Sequence, residues 1–306
     1  MQFSDLSLQN NLIFKITMKK RFKIAIASGK GGVGKSMLSS SLSILFSKEH
    51  NVVALDADVD APNLAIWLGE IGRWEKIEKI SVSSKPIFDL NKCNGCGKCV
   101  DNCQFHAIKM ISGKPHLNSF VCEGCGACEI VCPQKAIKLK SVYGGRIKTK
   151  KTKYGFSLIS GELIPGETGS GKIVSKIKEM AEEYDYEIML IDSSPGTGCP
   201  VIASLQGVDF VVLVTEPTPS AFSDLKKVLK VVNYFKLPWG LIINKKDINK
   251  ILSNKINRWS EGRKLGDISY DQNIFKAVAG FNPIMETDLK AEEEIRAIFN
   301  ELLIKI

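Results

Sequence analysis

The chain has 306 residues, 44% of them hydrophobic and 25% charged; these are ordinary globular values that exclude a disordered, collagen-like or coiled-coil protein. At roughly 150 residues per domain, the length suggests about two domains with full cores of their own. No apolar run approaches the ~18 residues of a membrane span, and the first residues lack the basic start, apolar core and cleavage site of a secretory leader, so a cytoplasmic protein is expected. The net charge of +9 is concentrated: 138–153 holds seven basic residues (Lys138, Lys140, Arg146, Lys148, Lys150, Lys151, Lys153) and no acidic one. Such a run reads as a solvated loop, or as a docking site for an acidic partner; nucleic acid is a possible partner but not the favoured one, because the rest of the chain is close to neutral.

Residues 1–20 read as a polar tail. A strand over 23–27 then runs into a glycine-rich turn and a helix over 37–46. A second strand, 52–55, ends in the acidic turn DADVD (56–60). The alternation stops at Asp89, where a cysteine- and glycine-rich stretch extends to Leu139. A helix over 171–183 and a strand over 187–191 follow, the strand ending at Asp192. Strands over 210–214 and 240–243 flank a helix around 222–235, and 292–303 reads as a last helix. Strands alternating with helices predict an α/β fold, a mostly parallel sheet with helices on both faces. The expected division is a tail (1–20), a first part of the α/β domain (21–86), an inserted module (87–142) and the rest of the α/β domain (143–306). Such an insertion is feasible because added loop length costs little entropy.

Eight of the nine cysteines fall within 93–132. Reduced cytosolic thiols in such clusters more often bind metal than form disulfides. CNGCGKCVDNCQFHAI, starting at Cys93, repeats as CEGCGACEIVCPQKAI from Cys122, an offset of 29 residues. Each half carries CxxCxxCxxxC, the spacing of bacterial ferredoxins with two 4Fe–4S clusters, in which the fourth cysteine of each run ligates the other cluster. By that rule one cluster takes Cys93, Cys96, Cys99 and Cys132, and the other Cys103, Cys122, Cys125 and Cys128. Glycines at 95, 97, 124 and 126 let backbone N–H groups approach the sulfurs, and Ile108 and Ile137 wall the clusters from water. Zinc is the competing reading; it favours two separated pairs around one tetrahedral ion, which a tight triplet with a remote fourth thiol suits poorly. Gln104 stands where the second half has Pro133, and His106 and His116 are expected at the surface because thiolates complete both ligand sets.

Residues 29–36 read GKGGVGKS, matching GxxxxGK[ST] between a strand and a helix. Backbone N–H groups of such a loop wrap phosphates at a helix N-terminus; Lys35 would reach the β/γ-phosphates and Ser36 a magnesium ion. With Lys30 directly before Gly31 and Gly32, KGGVGKS resembles the deviant Walker A motif of the MinD/ParA/Mrp and nitrogenase-iron-protein class of P-loop ATPases. LDADVDAPNL (55–64) is similar to the switch I of that class and IDSSPGTG (191–198) to its Walker B and switch II segment. VTEPTPSAFSDL and LGDISYD (265–271) resemble its Mrp-like branch.

The resemblance implies a P-loop NTPase sheet, ATP and Mg2+, and a nucleotide-dependent homodimer in which Lys30 reaches the opposite subunit's nucleotide. It implies Lys30, Lys35 and Asp58 as catalytic residues, Asp58 positioning the attacking water with Asp56 and Asp60 in support. The nucleotide would be held by Gly29, Lys30, Gly31, Gly32, Val33, Gly34, Lys35, Ser36 and Met37, with Asn244 and Lys245 at the base. Magnesium would sit at Ser36, Asp58 and Asp192, and Gly196 would sense the γ-phosphate. Residues 244–247 (NKKD) also resemble the guanine-reading NKxD of GTPases, so the base stays open with ATP favoured.

Three further features carry less. GETGSGK (166–172) fits GxxxxGK but ends in Ile173 where a hydroxyl is required, so it reads as a loop and helix start. Cys199 stands where the nitrogenase iron protein has a cluster-bridging cysteine; a bridge of four thiolates needs two per subunit, so simple packing is expected. The C-terminal apolar residues have helical spacing and an acidic start, suited to packing on the sheet rather than on a membrane. The resulting expectation is an ATPase that couples dimer switching to electron transfer through the two-cluster ferredoxin-like insert, working with a redox or apo-iron–sulfur partner protein. An iron–sulfur assembly or carrier ATPase and a ParA-like positioning ATPase with redox-sensing clusters are the alternatives.

Overall fold

The computed structural model describes residues 21–306; the tail expected over 1–20 lies outside the described residues. The described residues open with β1 (Phe22–Ala27), α1 (Lys35–Phe46), β2 (Val52–Ala57) and the short α2 (Leu64–Trp67). The long strand β3 (Lys76–Phe88) leads into the cysteine module, which contains α3 (Lys98–Asp101), β4 (Ile108–Ile111), β5 (Lys114–Leu117) and α4 (Ala127–Ile130). The long strand β6 (Ile137–Lys151) returns from it into β7 (Ser157–Leu163), α5 (Ser170–Ala181), β8 (Ile188–Ser193) and α6 (Cys199–Leu205). Then come β9 (Phe210–Thr215), α7 (Pro219–Tyr234), β10 (Trp239–Ile243), α8 (Lys250–Trp259), β11 (Lys264–Asp267), α9 (Asn273–Ala279) and α10 (Lys290–Lys305).

Nine strands form one sheet in the order β11-β10-β9-β1-β8-β2-β7-β6-β3. From β11 to β7 every pairing is parallel. Strands covered on both faces read as continuous apolar runs, and every residue of β2 (VVALDA) and β9 (FVVLVT) is buried. On one face Ile24, Ile26, Leu190 and Val212 pack with Leu38 and Leu42 of α1 and Ile295 and Ile298 of α10. On the other, Ala25, Ile191, Val211 and Leu213 pack with Ile173 and Ile177 of α5, Leu225 and Val228 of α7 and Ile256 of α8. The C-terminal α10 thus buries its apolar stripe against its own sheet, and among the described residues no helix is long and apolar enough to cross a membrane.

The parallel sheet continues into two strands that composition hides. β7 pairs antiparallel with β6, and β6 antiparallel with β3 over most of its length. The basic run 138–153 is therefore not a loop. Its lysines alternate with inward residues such as Ile147 and Thr149, both buried. Three of its charges are answered from elsewhere in the chain, Lys148 by Glu162 (2.9 Å), Lys150 by Glu70 (2.6 Å) and Lys153 by Glu286 (2.8 Å). Lysine lowers strand propensity only weakly when its neighbours are buried and its charge is met. The boundaries expected at 86/87 and 142/143 fall inside β3 and β6, two continuous strands that carry the cysteine module on the edge of the main sheet.

Within the module the repeat shows as a pseudo-twofold. Ile108 pairs with Leu117 in the β4–β5 hairpin, and Ile137 pairs with Phe88 where β6 meets β3. Ile108, Ile137, Cys99 and Cys128 share a small core of their own.

Candidate nucleotide site and cysteine module

The glycine-rich loop leaves the carboxyl end of the central strand β1 and ends where α1 begins. Gly34, at φ 99°, is in the left-handed region, and a Cβ there would lie 2.2 Å from Asn244 Nδ2; at Gly29 one would lie 2.2 Å from the Asp224 backbone. Only glycine lets the loop pass so close to its neighbours. Beside it opens a cavity of about 840 Å³ including its mouth, lined by Gly31, Gly32, Gly34, Lys35, Ser36, Met37, Asp58, Asn244 and Lys245. Tyr270, Asp271, Phe275 and Trp67 complete the wall. Tyr270 and Asp271 belong to the LGDISYD segment, to which the sequence assigns no site role; Phe275 and Trp67 were not expected, because they come from short helices after β11 and β2 that only the fold brings to the loop.

Lys35 is the positive centre of a buried acidic cluster. Its Nζ lies 3.6 Å from Asp192 Oδ1 and 3.9 Å from Asp58 Oδ2. Ser39 Oγ donates to Asp192 Oδ1 (2.9 Å), and the Leu64 N–H donates to Asp56 Oδ2 (2.9 Å). Burial, then the Asp192 and Asp58 charges, push the Asp56 carboxyl well above the usual carboxylate range. Burial also raises Asp58, against the opposing pull of Lys35. Asp56 Oδ1 and Asp192 Oδ2 are buried with no hydrogen-bond partner. With Asp192 Oδ2 left without a partner, the Ser36 hydroxyl and the Asp192 carboxylate are a pair of hard oxygen donors that fits a divalent cation. Such a cation, when bound, neutralises the charge on the transferring phosphate.

The cluster has a stability consequence. Asp56 binds its proton more tightly folded than unfolded, so its own contribution to folding stability is greatest at low pH and falls as pH rises from the unfolded value near 4 through the raised folded value. Asp56→Asn removes this penalty. In the nucleotide-free protein it is expected to melt several degrees above the parent at pH 7, with the gap closing as pH falls toward 4, read by thermal melts across that range.

Glu216, just past β9, lies in the VTEPTPSAFSDL segment, where sequence alone assigns it no role, yet it organises the other side of the loop. Its Oε1 is 3.3 Å from Lys30 Nζ and its Oε2 is 2.8 Å from Lys245 Nζ. Although burial opposes it, these two ammonium groups hold the Glu216 carboxyl below its ordinary range. Lys245 Nζ also donates to the Gly32 carbonyl (3.1 Å). In the single chain Lys30 is therefore folded back onto its own Glu216. Asn244 Nδ2 donates to the Val33 carbonyl (2.8 Å) and ties β10 to the phosphate loop.

The fourth residue of NKKD is not aimed at a base. Asp247 Oδ1 accepts the Tyr270 backbone N–H (2.8 Å), and Asp271 stands on the cavity wall instead. A guanine-reading aspartate needs its oxygens free. Competition binding is expected to favour ATP over GTP by roughly tenfold or more, the discrimination of a missing hydrogen-bond pair.

In the cysteine module two hollows open side by side. Cys93, Cys96, Cys99 and Cys132 line one, and Cys103, Cys122, Cys125 and Cys128 line the other. All are free thiols. Burial raises the Cys99 thiol and pushes that of Cys128 up to about 11, neighbouring sulfurs adding to the effect. The Ala107 N–H donates to Cys103 Sγ and the Ala136 N–H to Cys132 Sγ, both at 3.3 Å. Among the described residues no group of three His, Cys, Asp or Glu side chains that could hold a single metal ion is present. Four soft donors around each hollow, with Pro86, Ile108, Pro115 and Ile137 among the walls, fit a multi-atom iron–sulfur group better than one tetrahedral ion. His106 and His116 are exposed. Cys199 is exposed too, not packed inside as expected, at the start of α6. GETGSGK forms a loop and the first turn of α5.

A phosphate loop between a central parallel strand and a helix, with aspartates at the carboxyl ends of β2 and β8, defines a P-loop nucleotide-binding protein. The chain belongs to the CobQ/CobB/MinD/ParA nucleotide binding domain family, whose model matches residues 24–284. It is 40% identical over 283 residues to an uncharacterized protein of Methanocaldococcus jannaschii, covering 92% of this chain and 96% of that one. It is 25% identical over 256 residues to the iron-sulfur cluster carrier protein of Pyrococcus abyssi, covering 80% of this chain and 68% of that one. Among solved structures it resembles the Pyrococcus furiosus cell division ATPase MinD, with a TM-score of 0.58 at 16% identity over 93% of this chain and 98% of that one. It also resembles a plasmid partition protein from Borrelia burgdorferi bound to AMPPNP, with a TM-score of 0.57 at 18% identity over 94% and 100% of the two chains. These structural likenesses establish the fold.

Proposed function

We propose that this chain is an ATP-binding and hydrolysing protein that carries two 4Fe–4S clusters and couples nucleotide-dependent dimer switching to electron transfer through its cysteine module. The observation that carries the reading is the pair of hollows, each ringed by four thiols in the crossed grouping, on strands continuous with the sheet that bears the phosphate loop. The clusters, when bound, supply one-electron chemistry. The chain's own residues do the rest. Gly29–Gly34 cradle the phosphates, Lys35 reaches the β/γ-phosphates, and Ser36 with Asp192 holds magnesium. Asp58, facing Lys35 across the cavity, orients the attacking water. Lys30 leaves Glu216 to complete the site of a second copy. Lys30→Ala is therefore expected to remain monomeric with a non-hydrolysable ATP analogue under conditions where the parent dimerises, as read by light scattering.

A second reading, an iron–sulfur carrier, is favoured by the relatives that bear that name at about 25% identity. Anaerobically reconstituted protein turning over ATP beside an apo-ferredoxin separates the two. Iron that stays with the chain supports electron transfer; iron that moves to the acceptor in step with hydrolysis supports the carrier and ends the first reading.

A further inference from the structure

The 29-residue repeat does not stop at the cysteines. Lys85-Pro86 on β3 recurs as Lys114-Pro115 on β5, and each lysine reaches into the opposite half. Lys85 Nζ donates to the backbone carbonyls of Ser119 (2.9 Å) and Cys122 (2.7 Å). Lys114 Nζ donates to those of Leu90 (2.8 Å) and Cys93 (2.9 Å). The acceptors obey the same offset. Each half thus clamps, with an ammonium, the first cysteine of the other half's triplet.

One charge breaks the symmetry. Lys85 Nζ lies 3.5 Å from Glu167 Oε2, and Ser83 Oγ also donates to that oxygen (2.8 Å). Among the described residues Lys114 has no carboxylate within ion-pair distance. Glu167 lies outside the repeat, in the 164–169 loop between β7 and α5. That loop is tied to both segments that meet the nucleotide. At its start, the Leu163 N–H donates to the carbonyl of Val59, the neighbour of Asp58 (2.8 Å). Just beyond its end, Gly171 in the first turn of α5 packs so closely on Cys199, directly after 192–198, that a Cβ there would lie 3.2 Å from it.

We infer that Lys85 and Lys114 are positioning residues that set the potentials of the two clusters, and that Glu167 is the residue through which the nucleotide domain tunes one of them, the cluster of Cys103, Cys122, Cys125 and Cys128. This rests on the two-cluster reading above. Reduction adds negative charge, so an unbalanced ammonium beside a ligand's backbone favours the reduced state. At Cys93 no carboxylate among the described residues stands within ion-pair distance of that ammonium; at Cys122 Glu167 offsets it. The Cys93 cluster therefore titrates at the higher potential. A shift of the 164–169 loop, pulled from Val59 or from Cys199, changes the Lys85–Glu167 separation and moves the potential of the Cys122 cluster alone.

The test is an anaerobic titration of the reconstituted full chain, dithionite supplying one electron to each cluster, followed by electron paramagnetic resonance. Two resolved steps are expected. Glu167→Gln raises the lower one by at least tenfold in reduction equilibrium, about 59 mV for one electron, and leaves the upper one in place; Lys114→Met lowers only the upper. Mg–ATP moves the lower step in the parent and not in Glu167→Gln. Amide hydrogen exchange over 116–124 follows the same pattern, a readout independent of the potentials. Glu167→Gln with a full iron content, unmoved potentials and parent-like exchange overturns the tuning while the two-cluster reading stands. A chain that takes up no iron overturns the two-cluster reading and the tuning with it.

Discussion

Lys35→Ala is expected to slow ATP hydrolysis by roughly 10³-fold or more, the scale of losing a preorganised charge on a transferring phosphoryl group. The lysine is 7% exposed and faces Asp192 and Asp58, so no solvent ion replaces it at the same position. Its removal also leaves Asp58 and Asp192 without the ammonium that, among the described residues, pairs with both. In nucleotide-free protein the variant is expected to lose stability at neutral pH and recover it on acidification, since breaking a buried pair costs about 3–5 kcal/mol while the carboxylates stay charged. Phosphate release at saturating ATP, with calorimetric binding beside it, separates lost catalysis from lost affinity. Turnover within tenfold of the parent in a folded, nucleotide-bound variant would contradict the role given to Lys35.

The second large effect concerns which thiols act together. Cys132→Ser and Cys93→Ser are expected to abolish the same cluster signal and about half the bound iron each, because a missing thiolate usually costs a 4Fe–4S group outright. Combining them removes no more than either alone. Combining Cys132→Ser with Cys122→Ser removes both signals and nearly all the iron. The grouping follows from the hollows, in which Cys132 faces Cys93, Cys96 and Cys99 although Cys122, Cys125 and Cys128 precede it in the chain. Iron loss in which Cys132→Ser combined with Cys122→Ser removes no more than Cys132→Ser alone would contradict the crossed assignment. Iron analysis and resonance spectra of the four variants decide it.

How far such a site can be read before folding depends on whether its parts are local. The phosphate loop is local: strand, glycines, lysine and serine follow one another in the chain, and Lys35 and Ser36 line the cavity. The cysteine spacing is local too, and its repeat carried the pairing. Glu216 meets Lys30 only because β9 lies beside β1 in the sheet, a neighbourhood no window of sequence contains. Tyr270 and Asp271 follow β11 at the sheet's far edge and curl back over the loop. The strand character of β6 was masked for a different reason: its basic residues alternate with buried ones, but their charge dominated the composition until Glu70 and Glu162 were in place to meet it. The Lys85 and Lys114 repeat was present in the chain throughout, eight residues ahead of each first cysteine, and acquires meaning only when the lysines are seen to cross between halves.

The most direct test of coupling is the pair of cluster potentials, measured anaerobically by electron paramagnetic resonance with and without Mg–ATP. Nucleotide is expected to move at least one potential by about 59 mV or more, a tenfold change in a one-electron equilibrium, and the shift is expected to vanish in Lys35→Ala. Unchanged potentials in a protein that keeps its iron and binds ATP would mean that the nucleotide site and the cysteine module share a sheet but not an energy.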